Sequence, residues 1–202
     1  MEMKTKLKPA LCLKTATAIL LSVLSAFSMP AVYANSDGNE KEREYVIFTE
    51  KNIKTEDMRK KSDLNEEKLS EYLKKFPNLL GIEKALINMQ EEYEVNAILL
   101  LAIIRLESGN GRSRLALTKN NLGGLVSGRT KTAAVYRSFA TKDECVEYMA
   151  RLLSNHYLTD GGRFFKGYTL GDIAKTYCTS SAKWTNLVSA LIYEIQKALN
   201  NL

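Results

Sequence analysis

One carboxylate closes the most apolar stretch of the chain and is well placed for acid–base chemistry. Glu107 follows the run from Ile98 to Leu106, which only Arg105 interrupts. This run predicts a helix packed on most of its circumference, with Asn96 as its N-cap and Gly109 as its stop. Glu107 would then stand over apolar side chains at the helix end where the macrodipole disfavours negative charge. Both effects raise its pKa, and a carboxylic acid that is neutral near pH 7 can act as a general acid.

The N-terminus has the residue order of a secretory signal. Four lysines lie within residues 1–14 of the 202-residue chain, an apolar or small run extends from Thr15 to Val32, and small residues precede Asn35. This order predicts export with cleavage after Ala34, and an uncleaved membrane anchor is the alternative. Removing residues 1–34 lowers the net charge from +6 to +3. No basic stripe with interleaved aromatics remains, which disfavours a nucleic-acid partner.

The remaining cysteines and the one histidine suggest little further chemistry. Cys145 and Cys178 are an even number in an exported chain, so the sequence leaves open a disulfide between them or two buried thiols. His156 is the only histidine, and no CxxC or HExxH motif occurs. A zinc site or a Ser-His-Asp triad is therefore disfavoured, and the sequence implies no metal or organic cofactor.

Helical patterns dominate the chain after a polar N-terminal segment, residues 35–61. Apolar residues recur at spacings of three and four from Ser62, and glycines between 109 and 128 predict a loop region with a small hairpin through Thr132 to Tyr136. Thr141 and Glu144 form a capping-box pattern at the start of the next helix. We predict one mainly α domain over residues 62–202, with a short glycine-rich β region near its middle.

Several motifs together resemble a known family. Leu-Glu-Ser-Gly-Asn-Gly is followed by Asn-Asn-Leu-Gly-Gly, then Tyr-Arg-Ser-Phe, then Ile-Ala-Lys-Thr-Tyr-Cys and a tryptophan. The order is similar to that of the bacterial glucosaminidase domain, whose members are endo-β-N-acetylglucosaminidases that cut peptidoglycan. The resemblance covers roughly residues 62–200. It implies a lysozyme-like helical domain with the glycine-rich β-hairpin lobe beside a catalytic cleft, acting as a secreted monomer on peptidoglycan glycan strands at the cell wall.

The same resemblance assigns roles residue by residue. Glu107 matches the catalytic acid and Tyr177 a tyrosine near it. The residues that match the cleft and the turns around it are Ser108, Gly109, Ser113, Asn120, Asn121, Gly123, Gly124 and Trp184. Each has a structural alternative, since Asn121 could form a turn and the two aromatic residues could belong to the core. Phe164, Phe165 and Tyr168 could stack on sugar rings or pack only against their own loop.

One departure from the family pattern concerns the mechanism. Many members carry a second carboxylate in the β region, but no Asp or Glu occurs from Ser108 to Lys142. The nearest later acids, Asp143 and Glu144, belong to the helix start. We therefore expect the substrate's 2-acetamido group to assist instead. The alternatives are a lytic transglycosylase, a lysozyme-type muramidase, or a wall-binding module with little activity.

Overall fold

A computed structural model describes residues 45–130 and 133–202. The predicted secretory signal, residues 1–34, lies outside the described residues. In the part of the chain that is described, we find no helix with the length and apolar character needed to cross a membrane.

Seven α-helices and one hairpin make up the described residues, which confirms the predicted mainly α class. The helices are α1 (Glu66–Leu73), α2 (Glu83–Tyr93), α3 (Ala97–Ser108), α4 (Arg114–Lys119), α5 (Lys142–Leu153), α6 (Leu170–Tyr177) and α7 (Ser181–Asn200). A 3-10 turn spans Pro77–Leu79 and a π-helical turn spans Ser154–Leu158. Strands β1 (Val126–Arg129) and β2 (Ala134–Tyr136) pair antiparallel, with an irregularity between Val126 and Gly128.

Helix α3 is the central element, as its apolar sequence predicts. Every residue of α3 except Leu106 is buried, and the helix packs against α2, α5 and α7. The Asn96 side chain caps its start by accepting from Ile98 N–H at 2.9 Å, and Gly109 ends it in the left-handed conformation, with φ of 59°. Both predicted ends are thus confirmed.

The single arginine of α3 is buried and fully bonded. Arg105 forms an ion pair with Glu194 of α7 at 3.0 Å, and its Nε donates to Asn110 Oδ1 at 2.9 Å. It also donates to the Tyr72 hydroxyl of α1 and lies 4.1 Å from the centre of the Phe76 ring. The charge that interrupts the apolar run therefore joins three helices and holds the C-terminal end of α3 in place.

Residues 45–61 belong to the same core as the helices. Their buried apolar side chains are Val46, Phe48, Ile53 and Met58. Phe48 N–H donates to Gln196 Oε1 of α7 at 3.2 Å, and the Met58 carbonyl accepts from Asn96 N–H at 2.9 Å. The segment thus packs against the helices of the domain predicted over residues 62–202, through isolated side chains rather than through a periodic face.

Helix α4 and the state of the cysteines differ from expectation. The glycine-rich region was predicted as loop and hairpin, but Ser113 Oγ accepts from Ala116 N–H at 3.1 Å and starts the short helix α4. Cys145 is a buried free thiol whose Sγ accepts from Leu122 N–H at 3.2 Å, and burial raises its pKa to about 11. Cys145 therefore does not form the possible disulfide with Cys178 that the sequence left open.

Candidate active site

The side chain of Glu107 is enclosed by its surroundings on the last turn of α3. Only 7% of the residue is exposed, and this burial raises its carboxyl pKa to about 7. The Trp184 indole N–H lies close to the Glu107 carboxyl and partly offsets the increase in its pKa. It makes no hydrogen bond of normal geometry to the carboxyl. No second carboxylate among the described residues contributes to the shift. Glu107 is thus an acid with no carboxylate partner contributing to its pKa, and a substantial fraction of it is protonated near neutral pH.

Four aromatic side chains form a connected group, of which Tyr177 and Trp184 lie next to the acid. We call Tyr157, Phe164, Tyr177 and Trp184 the aromatic cluster. The Tyr177 ring centre lies 4.7 Å from that of Trp184 and 5.5 Å from that of Tyr157, and the Tyr157 and Phe164 rings are 5.1 Å apart. Burial raises the pKa of Tyr177 well above its usual value, and the nearby Glu107 and Tyr157 raise it further. The structure therefore brings the predicted residues Tyr177, Trp184 and Glu107 together.

Tyr157 is the member of this cluster that the sequence interpretation missed. It lies in the π-helical turn Ser154–Leu158, which follows α5 directly and shifts the register of the following side chains. Such turns often occur at functional sites. Phe164 N–H donates to the His156 carbonyl at 2.8 Å, which folds the next loop back onto this turn. Sequence periodicity gives no sign of a π turn, so Tyr157 reads as an ordinary core residue.

Ser108 shapes the turn after the acid. It is fully buried, its Oγ donates to the Ile104 carbonyl at 2.6 Å, and the same oxygen accepts from Gly111 N–H at 2.8 Å. Gly111 has φ of +77°, and a Cβ there would come within 2.9 Å of Asn78 Cβ. These contacts hold the loop against the 3-10 turn. Ser108 is occupied within the protein, and its contact with substrate stays a prediction.

The two asparagines of the Asn-Asn-Leu-Gly-Gly motif connect α4 to the hairpin. Asn121 is fully buried, and its Nδ2 donates to the Leu125 and Arg137 carbonyls at 2.9 and 3.0 Å, while its Oδ1 accepts from Leu125 N–H at 2.8 Å. Asn120 Nδ2 donates to the Phe139 and Ala140 carbonyls at 3.2 and 3.0 Å. These hydrogen bonds support the backbone of the lobe, and direct contact of either asparagine with a sugar stays a prediction.

The two glycines of the motif have different surroundings. A Cβ at Gly123 would come within 2.9 Å of Met149 Sδ, so this glycine permits close packing against α5. Gly124 has φ of +59°, and nothing lies within 4 Å of the position its Cβ would occupy. A ligand could therefore approach the backbone at Gly124 rather than at Gly123.

Two of the loop aromatics predicted to bind sugar or to pack locally have partners in the protein. The Arg59 guanidinium lies 3.5 Å from the centre of the Tyr168 ring, and the Phe165 ring lies 5.1 Å from that ring. This arrangement favours packing within the protein for both residues. In the described residues, no group of three or more His, Cys, Asp and Glu side chains could hold a metal ion.

A central buried helix that ends in one enclosed acid, together with a small hairpin, defines a lysozyme-like fold. The structure is similar to that of S. aureus autolysin E, with a TM-score of 0.58 and 22% identity over 74% of this chain and 73% of that chain. It is also similar to a catalytic glutamate-to-alanine mutant of autolysin E in complex with the disaccharide NAG-NAM, with a TM-score of 0.57 and 22% identity over 72% of each chain. At this identity the likeness concerns the fold.

Sequence comparison identifies the family. Residues 83–197 match the glucosaminidase family model, described as mannosyl-glycoprotein endo-beta-N-acetylglucosaminidase. The chain therefore belongs to the glucosaminidase family of glycoside hydrolases. Two Streptococcus pneumoniae proteins named as endo-beta-N-acetylglucosaminidases are each 28% identical over 138 residues, which is 64% of this chain. The chain spans about a fifth of the length of these curated relatives.

Proposed function

We propose that this protein is an endo-β-N-acetylglucosaminidase that cleaves peptidoglycan glycan after N-acetylglucosamine, with Glu107 as general acid. The observation that carries the proposal is the buried Glu107 carboxyl, whose pKa of about 7 leaves a proton to donate at neutral pH. The buried rings of Tyr177 and Trp184 lie next to the carboxyl and shield it from water, which supports its raised pKa. The NAG-NAM complex of the structurally similar autolysin E supports a peptidoglycan substrate.

The proposed mechanism uses one protein carboxyl and one group of the substrate. Glu107 donates its proton to the glycosidic oxygen as the bond to the anomeric carbon breaks. The carbonyl oxygen of the 2-acetamido group forms a bond to that carbon and takes the place of an enzyme nucleophile. The Glu107 carboxylate then removes a proton from water, which opens the cyclic intermediate and restores the acid. The absence of Asp and Glu from Ser108 to Lys142 favours this route.

Mass spectrometry of digested peptidoglycan tests the proposed reaction. Reducing N-acetylglucosamine ends are expected. Anhydro-muramic ends would instead identify a lytic transglycosylase, and reducing muramic ends would identify a muramidase. No cleavage by the wild type would favour a wall-binding module. Product stereochemistry followed by NMR tests the acetamido route, because inversion at the anomeric carbon excludes it.

The Glu107→Gln variant tests the assigned acid. Loss of the proton donor is expected to lower turnover at least about 100-fold, because general acid catalysis contributes that much or more. Glu50→Gln is the matched control, since Glu50 is an exposed carboxylate in the N-terminal segment. Equal turnover by the two variants would show that Glu107 is not the acid.

The proposal includes export and action at the cell wall as a monomer. It rests on the signal-like residues 1–34, with cleavage expected after Ala34. N-terminal sequencing of protein recovered from the wall fraction would test cleavage, and a chain that still carries residues 1–34 would indicate a membrane anchor. The sedimentation coefficient of the recovered protein would test the monomer.

A further inference from the structure

The indole of Trp184 carries a buried N–H group that has no acceptor of its own. Trp184 is 1% exposed, and its Nε1 makes no hydrogen bond of normal geometry within the described residues. A buried donor without a partner is costly, and such donors are rare in native structures. The same burial leaves the ring almost no surface for contact with a sugar. The N–H group, rather than the face of the ring, is therefore the part of Trp184 whose role needs a physical explanation.

The group next to this N–H is the Glu107 carboxyl. Glu107 lies at the end of α3 and Trp184 near the start of α7, and these two helices pack against each other. The indole N–H lowers the Glu107 pKa, and no other hydrogen-bond donor among the described residues contributes to that pKa. Because only 7% of Glu107 is exposed, the donor and the acid are neighbours in an enclosed part of the molecule.

The indole is held in place by its own helix and by Tyr177. The backbone N–H of Trp184 donates to the Ser180 carbonyl at 3.0 Å at the start of α7. The Trp184 and Tyr177 rings lie 4.7 Å apart between centres, with an angle of 32° between their planes. Tyr177 packs in turn against Tyr157, with 5.5 Å between the ring centres. The direction of the N–H is thus fixed before any charge forms on Glu107, which is the condition for efficient electrostatic stabilisation.

We propose that Trp184 is a positioning residue for the acid, because its indole N–H donates a hydrogen bond to the Glu107 carboxylate that forms when the proton passes to the glycosidic oxygen. The inference rests on the proposed function, since it assigns a further residue to the same reaction. The proton that moves is that of Glu107, and the indole keeps its own throughout. A hydrogen bond to a charged acceptor is roughly twice as strong as one to a neutral acceptor. The intermediate therefore gains a bond that the resting enzyme lacks, which favours proton donation.

Other charged groups do not account for this role among the described residues. Helices α2, α5 and α7 pack against α3, and no charged side chain on them contributes to the Glu107 pKa. Arg105, on α3 itself, is paired with Glu194. The titratable neighbours are Tyr157 and Tyr177, and burial raises the pKa of each above its usual value. Near neutral pH, Glu107 is therefore the neighbour of the indole that changes its charge.

The indole N–H gives the first test, because Trp184 is the only tryptophan of the chain. In the ¹⁵N-labelled full chain without substrate, its indole group gives one signal that needs no assignment. The proton shift of this signal is expected to move downfield as pH rises through about 7, the pKa of Glu107, and to stay constant in Glu107→Gln. A signal that does not move in the wild type would overturn the inference. An equal movement in Glu107→Gln, caused by another group such as His156, would also overturn it.

The Trp184→Phe variant removes the N–H and keeps an aromatic ring. The Glu107 pKa, measured by ¹³C NMR of the carboxyl carbon, is expected to lie about one pH unit higher than in the wild type. The alkaline limb of kcat should move with it, and kcat should fall about tenfold. A merely looser core would act in the opposite direction, because water that enters the site lowers the pKa. An unchanged or lower pKa would contradict the proposed bond.

The matched control is Tyr193→Phe, which removes a polar hydrogen from another aromatic ring of α7. It should leave the Glu107 pKa and the pH profile of kcat unchanged. An equal shift in both variants would show a general effect of α7 and would reject the role of the indole.

The NMR measurements separate this inference from the proposed function. They are made without substrate, so they decide whether the bond forms even if the wild type cleaves no glycan. If Trp184→Phe does not fold, the titration of the wild-type indole still decides. Cleavage of the glycan by a wild type whose indole signal does not respond to Glu107 would retain the proposed function and reject the inference.

Discussion

The pKa of Glu107 links stability to pH. Because burial raises this pKa from 4.5 to about 7, the folded protein keeps a proton that the unfolded chain loses over that range. The contribution of the protonated group to stability is therefore complete below about pH 4.5 and is lost as pH rises through about 7. Glu107→Gln carries no such group. We predict that the stability of the variant relative to the wild type rises by up to about 3 kcal/mol between pH 4 and pH 8.

Chemical denaturation of the two proteins across this pH range measures the effect. The difference in the free energy of unfolding should grow with pH and level off above the folded pKa. A difference that stays constant with pH would contradict a raised pKa. The activity of the wild type should fall over the same upper range, because the ionised carboxylate has no proton to donate.

Tyr157 is expected to affect catalysis although it does not contact Glu107 through a hydrogen bond. Its ring centre lies 5.5 Å from that of Tyr177, and the ionised form of Tyr157 would raise the Tyr177 pKa. We predict that Tyr157→Phe lowers kcat about fivefold and alters KM little, since the hydroxyl that interacts with Tyr177, the neighbour of the acid, contributes about 1 kcal/mol.

The control for this prediction is Tyr193→Phe, a half-buried tyrosine of α7. A loss of kcat in both variants would indicate a general effect on the fold. A double variant with Tyr177→Phe adds a second reading, because two hydroxyls that act together should give a smaller combined loss than the product of the single losses.

Asn121 holds the hairpin lobe together at the level of secondary structure. Its amide makes hydrogen bonds to Leu125 N–H, the Leu125 carbonyl and the Arg137 carbonyl. Asn121→Ala would remove the hydrogen bonds of Leu125 N–H and of the Arg137 carbonyl, and one of the two that the Leu125 carbonyl accepts, so we predict a loss of about 3 kcal/mol in the free energy of unfolding. Faster hydrogen exchange at the Leu125 and Arg137 amides would accompany it.

The matched substitution is Asn88→Ala, because Asn88 is an exposed residue of α2. It should change stability by less than about 0.5 kcal/mol. If Asn121→Ala behaves like Asn88→Ala, the hairpin is held by other contacts and the supporting role of Asn121 is wrong.

Elements with a local signature could be predicted from the sequence. The ends of α3 follow from Asn96 and Gly109, and the start of α5 follows from Thr141, whose Oγ1 accepts from Glu144 N–H at 3.1 Å. The capping partner is shifted by one residue, since Glu144 Oε2 accepts from Ala140 N–H at 2.8 Å rather than from Thr141. The apolar pattern predicts the body of each helix, and the residues at its two ends predict where it starts and stops. Both signals are local in sequence, so these helices could be predicted.

Features that depend on distant residues could not be predicted. Helix α4 has one turn and a half, which is too short for a periodic pattern to indicate a helix against a glycine-rich background. The π turn that presents Tyr157 has no sequence signature. The position of Tyr157 beside Tyr177 arises from packing between elements that are twenty residues apart in sequence. The acid itself was predictable because its apolar surroundings lie within its own helix.

At the scale of the whole molecule, residues 45–61 complete the domain. The segment bonds to α7 through Gln196, to the loop before α6 through the Tyr168 carbonyl, and to the start of α3 through Asn96. It therefore connects the helix that carries the acid with elements that carry or adjoin the aromatic cluster. Without these contacts, the N-terminal end of α3 would lose its hydrogen bond to the segment.

The neighbouring residues Phe48 and Ile47 allow this role to be tested within the intact chain. Phe48 is 2% exposed and Ile47 is 48% exposed. Phe48→Ala should lower the free energy of unfolding by about 3 to 4 kcal/mol, because it removes a buried aromatic ring and leaves a cavity. Ile47→Ala should lower it by less than about 0.5 kcal/mol, because that side chain already faces solvent. Denaturant unfolding gives both values.

Similar small losses in the two variants would show that the segment is peripheral and would support a domain boundary near Ser62. A large loss confined to Phe48→Ala would show that the acid-bearing helix depends on residues well before the range 83–197 that matches the family, because the start of α3 and α7 both bond to this segment.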